Sequence, residues 1–327
     1  MVATATRFRS FLSRSHRVTD ATYHYLWSRD HPHVLEIDPG DRVTFQIREV
    51  TSSQLTKKST TSDVAKLDDS KFYPLAGPVR VRGAHVGDAL AIDILRVDTA
   101  DWGWSAIVPG LGILEEFTEP YLWIWRLGKT DWVNFKNDLR VKRRPFCGVM
   151  GVAPATEGFT SAMPPGNHGG NLDTRHLTAG SRLLLPVWVD GGLFSVGDVH
   201  AAQGDGEVCV TAIECPGNVT LRFNLIKGAQ LEAPQYFTPP ERSVERHYVT
   251  VGISPDLMDA CRQAIRRMIS TLTKHAALSR EEAYIFCSVA GDLRIHEIVD
   301  KPNWVVGFWI AQSSLGPVWK RLFKLGN

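Results

Sequence analysis

Asp198, His200 and Glu207 are the residues whose types and spacing offer this chain the most chemistry. They stand in Gly197-Asp198-Val199-His200-Ala201-Ala202-Gln203-Gly204-Asp205-Gly206-Glu207, where acids and a histidine crowd around a glycine turn. Phe194 and Val196 before this segment, and Val208 and Val210 after it, read as strand, with Gly204-Asp205 as a two-residue hairpin connection. That turn sets Glu207 across from Ala202 and Cys209 across from His200. Side chains alternate faces along a strand, so Asp198, His200 and Glu207 then share one face, while Val199, Ala201, Val208 and Val210 take the other. Two carboxylates and an imidazole on one face suit a divalent cation, which accepts hard oxygen and borderline nitrogen ligands together. The bland alternative is a solvated hairpin tip with ordinary turn acids. Asp198 and His200, two apart on the strand leading into the turn, tip the reading toward a site.

Two further stretches carry polar groups that plain packing does not explain. Pro164-Pro165-Gly166-Asn167-His168-Gly169-Gly170-Asn171-Leu172-Asp173 combines prolines and glycines with possible ligands or donors. Such a loop lets backbone approach a bound species closely, with Asn171 and His168 as candidate substrate contacts. A tight irregular turn capped by Asn and Asp accounts for the same residues equally well. Asp41 to Glu49 alternates strictly, with Val43, Phe45 and Ile47 on one face and Thr44, Gln46 and Arg48 on the other. Glu49 continues the apolar row. Either it carries a carboxylate inward, where it needs a partner or a cation, or the strand stops at Arg48 and Glu49 points into water.

The elements that must position these residues are mostly short strands. Pro78 to Val81 and Leu90 to Val97 give two, joined through Gly83 and the Gly87-Asp88 turn. Ser181 to Val189 is a nearly continuous apolar strand, and Pro186 within it predicts an edge position or a bulge. Val219, Leu221, Phe223 and Leu225 alternate with Thr220, Arg222 and Asn224, so that strand has one wet face. Character changes near Pro239-Pro240. Ser254-Pro255-Asp256 reads as a capped helix start, followed by a stripe of Leu257, Cys261, Ala264, Ile265, Met268 and Leu272. Ser279-Arg280-Glu281-Glu282 is a capping box opening a second helix, Gly291 ends it, and Leu293 to Val299 reads as a strand. The fold class is therefore mainly β, sandwich- or barrel-like, over residues 1–240, with a smaller C-terminal α+β part over 241–327 packed into the same body.

Composition sets the outer limits. Hydrophobic content of 43%, charged content of 22% and a net charge of +2 are ordinary for a globular protein and give a nucleic acid no hold. The short basic run Arg140, Lys142, Arg143 and Arg144 lacks interleaved aromatics and reads as a solvated strand end. No apolar run reaches the roughly 18 residues of a membrane span. Arg7, Arg9, Arg14 and Arg17 make the N-terminus basic, read as a frayed end in preference to a transit segment. Five scattered cysteines without a Cys-x-x-Cys pair fit a reducing compartment, so the cytoplasm is expected. Trp102, Trp104, Trp123, Trp125 and Trp132, with Phe117 and Tyr121, form an aromatic cluster suited to core or to a subunit interface, and a homodimer or higher homo-oligomer is expected.

The combination resembles the acetamidase/formamidase family over most of the chain. The resemblance is carried by Gly40-Asp41-Arg42-Val43, Gly151-Val152-Ala153-Pro154-Ala155, Gly169-Gly170-Asn171-Leu172-Asp173 and, most specifically, the run from Leu185-Pro186-Val187 to Glu207. Thr211-Ala212-Ile213-Glu214, Leu278 to Tyr284 and Ala290-Gly291-Asp292-Leu293-Arg294-Ile295 add to it. It implies a β-rich, homo-oligomeric hydrolase of short aliphatic amides, releasing ammonia and a carboxylate, with a divalent metal, zinc or calcium. Carried over by position, Asp173, Asp198, His200 and Glu207 match the residues expected around the metal. A histidine in the shell with no thiolate favours zinc. One carboxylate must take a proton and return it to the leaving nitrogen, and Glu207 or Glu49 could do so. The chain departs from the pattern at Glu49, where the family usually has aspartate, and in the bulkier Lys301-Pro302-Asn303-Trp304-Val305-Val306-Gly307.

Other chemistries fit less well. Neither Ser52-Ser53 nor Ser313-Ser314 has the glycine-flanked setting of a Ser-Ser-Lys amidase, and no Gly-x-Ser-x-Gly elbow occurs. Cys147 has no evident base beside it, and Gly110-Leu111-Gly112 lacks the third glycine and lysine of a phosphate loop. A non-enzymatic calcium- or ligand-binding β-sandwich is the alternative from another class. It would use Asp198 and Asp205 but leaves His200 without a task.

Overall fold

The computed structural model describes residues 13–240 and 245–322. Arg7 and Arg9 of the basic N-terminus lie outside the described residues. Strand covers 38% of the chain and helix 16%, so the mainly β expectation holds. Two nine-stranded sheets face each other. The first runs, in spatial order, Ser15–Val18, Arg42–Ile47, Gly217–Ile226, Ala89–Thr99, Arg182–Pro186, Gln235–Phe237, His247–Ser254, Trp304–Ala311, Gly291–Glu297. The second is built on Phe194–His200, which pairs with Phe146–Gly151, Glu214–Cys215 and Leu75–Val81. Val43, Phe45, Ile92, Leu221 and Phe223 of the first sheet meet Met150, Phe194, Val196 and Val199 of the second in one dry core.

The first sheet takes strands from both sides of residue 240, since Gln235–Phe237 pairs with His247–Ser254 and that strand with Trp304–Ala311. Its other face is covered by helices Leu257–Ala276 and Arg280–Ala290, which bury Ala264, Met268, Leu272, Ala283 and Cys287 against Tyr248, Phe308 and Ile310. Of the expected stripe Ala264, Met268 and Leu272 are buried while Leu257, Cys261 and Ile265 are half-buried, and Ala260 and Thr271 complete the packed face. The cap differs from the expectation. Asp256, not Ser254, accepts from Asp259 N at 2.6 Å, and the helix begins at Leu257. Ser279 and Glu282 form the predicted capping box.

Pro186 does not mark an edge. The strand Arg182–Pro186 lies inside the sheet, between Ala89–Thr99 and Gln235–Phe237, and proline closes it at its last residue. The aromatic cluster divides. Trp104 and Trp125 are core, while Phe117, Tyr121 and Trp132 stand 44–49% exposed.

Candidate active site

The predicted hairpin is not a two-residue one. His200 pairs with Glu214 and Val199 with Cys215, and the pairing carries on through Ala201 N to Ile213 O and Ile213 N to Ala202 O. Residues 203–212 form a long connection, so Glu207 lies across from no strand residue. It reaches the site differently. Gly206 N donates to His296 O at 2.8 Å and Ile298 N to Gly206 O at 3.2 Å, which pins the loop to the strand end at Glu297. Glu207 then takes φ +45° and turns its carboxyl inward, 6% exposed.

The strand Phe194–His200 breaks its own alternation to build the site. Phe194 and Val196 face the core, yet so does Val199, so the pleat changes phase between them. On the neighbouring strand Cys147 and Met150 show the same shift. The register places Gly148 opposite Asp198, and Asp198 carries φ +58°. A Cβ at Gly148 would stand 2.8 Å from Asp198 Oδ2 and His200 Cε1, and nearer still to Asp173 Oδ1. Glycine there keeps open the space into which three polar side chains converge. Asp173 arrives from the other side, its backbone N donating to Gly148 O at 3.2 Å.

His200 Nε2 lies 2.9 Å from Glu214 Oε2 and 3.1 Å from Asp198 Oδ1, and Nδ1 lies 3.5 Å from Asp173 Oδ1. Gln203 decides the ring's orientation. Its amide nitrogen donates to Asp173 O at 2.8 Å, which leaves Oε1, 3.0 Å away, to accept from His200 Nδ1. Nε2 is thus turned to two carboxylate oxygens, which it meets with a proton when the ring is charged and with a lone pair, open to a cation, when the ring is neutral. His200 Nε2, Asp198 Oδ1, Glu214 Oε2 and Asp173 Oδ1 are all buried without a hydrogen-bond partner. Acceptor atoms in such contact need a proton or a cation among them. Asp198, His200 and Glu214 offer ligand atoms within 4.8 Å of one another, as do Asp173, His200 and Glu207. Orphaned acceptors, an imidazole lone pair aimed at them and the room left by Gly148 fit a divalent cation.

Burial raises every acid of this cluster that it moves. It pushes Asp173 up to about 6 against the pull of His200, and Glu214 up to about 8. Glu207 rises well above the carboxylate range through burial and the charge of Asp173. Asp300 does so through burial, Asp173 and Glu297. His200 moves the other way from the one burial dictates. Asp198 and Glu214 overcome desolvation and hold it well above an ordinary imidazole. Above the cluster lies a cavity of about 570 Å³, lined at one end by Asp173, Asp198, Glu207, Glu214 and Asp300. Tyr73 also lines it, its phenol kept protonated by burial and by Asp300, Asp198 and Asp173. Among the described residues, five of the twelve non-glycine residues with positive φ, namely Tyr73, Asp173, Asp198, Glu207 and Val210, line this cavity. Backbone strain gathered at one place marks a functional site.

The model of the acetamidase/formamidase family matches residues 12–161 and 155–314. This chain belongs to that family. It is an amidohydrolase acting on linear amide C–N bonds. It is 27% identical to the formamidase of Methylophilus methylotrophus, over 89% of each chain. Among solved structures it resembles a predicted acetamidase/formamidase of Thermoanaerobacter tengcongensis, with TM-score 0.86, 30% identity, and coverage of 93% of this chain and 98% of that one. The acetamidase of Bacillus halodurans gives TM-score 0.84 and 31% identity, covering 94% and 100%.

The structure brings together Asp173, Asp198, His200 and Glu207, the residues singled out in the sequence, and adds Glu214, Tyr73 and Asp300, which sequence reasoning did not name for the site. Glu214 had a readable signal, since it stands between Ile213 and Cys215 at the start of a strand. Tyr73 and Asp300 come from distant segments with no local pattern. Glu49 stands apart, which corrects its assignment as a possible acid–base group. It is 1% exposed, and both its oxygens are taken. Thr51 N and Oγ1 donate at 3.0 and 2.7 Å, Trp104 Nε1 at 3.0 Å, and Ser53 N as well. Asn171 does not reach the cavity. It donates to Asp300 Oδ2 at 2.9 Å and so holds a residue that does. His168 packs on Trp27, ring centroids 5.2 Å apart, away from the lining. The glycines beside it serve the pairing of Gly169–Asn171 with Val149–Gly151, where a Cβ on Gly169 would strike Met150 O. Cys147 and Cys215 are buried, and burial pushes both thiols up, so neither offers a thiolate.

Proposed function

We propose that the protein hydrolyses primary amides with the help of a divalent cation held by Asp198, His200 and Glu214, with Asp173 beside them. The observation that carries this reading is the set of buried acceptors left without partners around the Gly148 gap. One imidazole with carboxylates and no thiolate favours zinc or another transition ion over calcium, which would prefer an all-oxygen cage. Such a cation supplies Lewis acidity, polarising the amide carbonyl and acidifying a nearby water.

The chain's own groups do the rest. Gln203 fixes the His200 tautomer so that Nε2 turns into the cluster. Glu207 takes the proton of the attacking water as oxygen adds to the carbonyl carbon. It then returns that proton to nitrogen as the C–N bond breaks, so that amide and water leave as ammonia and the acid. The elevated affinity of Glu207 for protons suits a group that must both accept and deliver one. The Tyr73 phenol, held protonated, is a donor for the charge that develops on the carbonyl oxygen. The apolar walls limit water beside the reacting carbon. Formamide and acetamide, which the relatives' names carry, are the smallest members of this substrate class.

A homo-oligomer is part of the proposal, since Phe117, Tyr121 and Trp132 leave apolar surface exposed. Light scattering showing only a 36.4 kDa mass would remove it. A cytoplasmic setting is supported by five free cysteines. Among the described residues no helix is long and apolar enough to cross a membrane. The amidase itself is tested by ammonia release from formamide and acetamide before and after chelation. Release that disappears with chelator and returns with zinc supports the reading, and release unaffected by complete metal removal refutes the role of the cation.

A further inference from the structure

The cavity over the acidic cluster is larger and drier than the smallest amides need. It measures about 570 Å³. The four heavy atoms of acetamide fill roughly 120 Å³ at the ~30 Å³ share a water takes in the liquid. Beyond the five clustered acids the wall is mostly apolar, with Val64, Leu67, Phe72, Trp104 and Leu111, and carries Asp69 and Thr211 as its polar groups beside Tyr73. That wall is also fixed. Trp104 is anchored through Nε1 to Glu49 Oε2, and its ring packs with Val50, Leu55 and Leu122. This gives buried Glu49 a task as a positioning residue. Among the described residues no Lys, Arg or His lines the cavity.

We propose that this site takes neutral primary amides whose acyl group is an apolar ring or chain larger than acetyl. The carboxamide sits at the Asp198–Glu207 end and the acyl group against Val64, Leu67, Phe72 and Trp104. A small acyl group would leave that wall facing water, whereas a larger one covers it. A carboxylate on the acyl group would lie against this wall, where Asp69 stands and no described Lys, Arg or His offers a partner, and such a substrate is rejected. The proposal rests on the amidase reading of the same site and adds its substrate class.

The test is kcat/KM for acetamide, butyramide, hexanamide, phenylacetamide and the carboxylate-bearing succinamate, with binding of the same amides measured by calorimetry. Each methylene that enters the wall should raise kcat/KM about fourfold, and phenylacetamide should exceed acetamide by about 100-fold. Succinamate should fall below butyramide by at least about tenfold. Leu67→Trp should lower the ratio of phenylacetamide to acetamide turnover by about tenfold or more. Leu111→Trp, from a separate loop, gives the same readout should the first variant fail to fold. Acetamide hydrolysed with a flat or falling series overturns the substrate class and leaves the amidase standing. No ammonia from any amide, with metal restored, overturns the amidase. In that case calorimetry still decides the cavity, since phenylacetamide bound no more tightly than acetamide would overturn its assignment too.

Discussion

Glu49 and the cluster around His200 are both buried carboxylate sites, and they solve the cost of burial in opposite ways. At Glu49 the protein supplies four donors, from Thr51, Ser53 and Trp104, so the charge is met by the fold itself. Around His200 it brings Asp173, Asp198, Glu207 and Glu214 together and leaves four acceptor atoms without a donor. Burial raises the proton affinity in both places, so a shifted carboxyl does not distinguish them. The donor inventory does. A saturated carboxylate holds a turn together, whereas an unsaturated group of them is where the proposed cation would bind.

The sharpest way to break this contrast is to remove the ligands. His200→Ala and Asp198→Ala should lose the metal and with it at least about 10⁴ in kcat/KM, measured with elemental analysis alongside ammonia release. Gly148→Ala should do nearly as much by filling the gap, although it removes no ligand. Retained metal in all three would take the cluster out of the site. Glu207→Gln is next in size. It should keep the metal but lower kcat by about 10²–10⁴, the usual worth of a general acid–base group. A loss confined to KM would reassign Glu207 to substrate binding.

At the other pole, Glu49→Gln should leave metal content unchanged while costing stability. One acceptor becomes a donor facing donors, so a loss of about 1–3 kcal/mol is expected from urea midpoints. Metal loss in this variant, with stability intact, would reverse the assignment of the two regions.

The smallest expected effect concerns a second saturated acid. Asp88 accepts from His85 N and Gly228 N at 2.9 Å and pairs with Lys227, and these donors hold it below the ordinary value of 3.8 despite its burial. A lowered folded value means that the stabilisation is complete above the unfolded value and is lost as pH falls through the folded one. The difference in urea midpoint between wild type and Asp88→Asn should therefore be full near pH 6 and shrink below about pH 4. A difference that grows in acid would contradict the pairing.

Much of this was legible in the sequence, for reasons that differ by element. Alternation located Arg42–Ile47 and Gly217–Ile226, because one face of each strand is wet enough to show the period. The capping box at Ser279 was readable because it is a local arrangement of side chain and backbone. The hairpin was misread because Gly204-Asp205 has the composition of a tight turn, while the connection is held by contacts with the strand end at Glu297, some 90 residues on. Pro186 was misread because a proline at a strand's last residue loses nothing there. Asp198 and His200 were found by their spacing, although the face they occupy depends on a change of pleat that no pattern announces. Glu49 was correctly seen as a candidate for burial. What satisfies it, Trp104 from 55 residues away, is a tertiary fact.

The central claim is that the unsatisfied cluster exists to hold a cation, and the most direct test is metal content per chain in protein purified without chelator. Wild type and Glu49→Gln should each carry at least one divalent ion per chain, and Glu214→Ala, which deletes the ligand least evident in the sequence, should carry almost none. A fully active wild type without metal, or a Glu214→Ala variant that retains its full complement, would contradict the account.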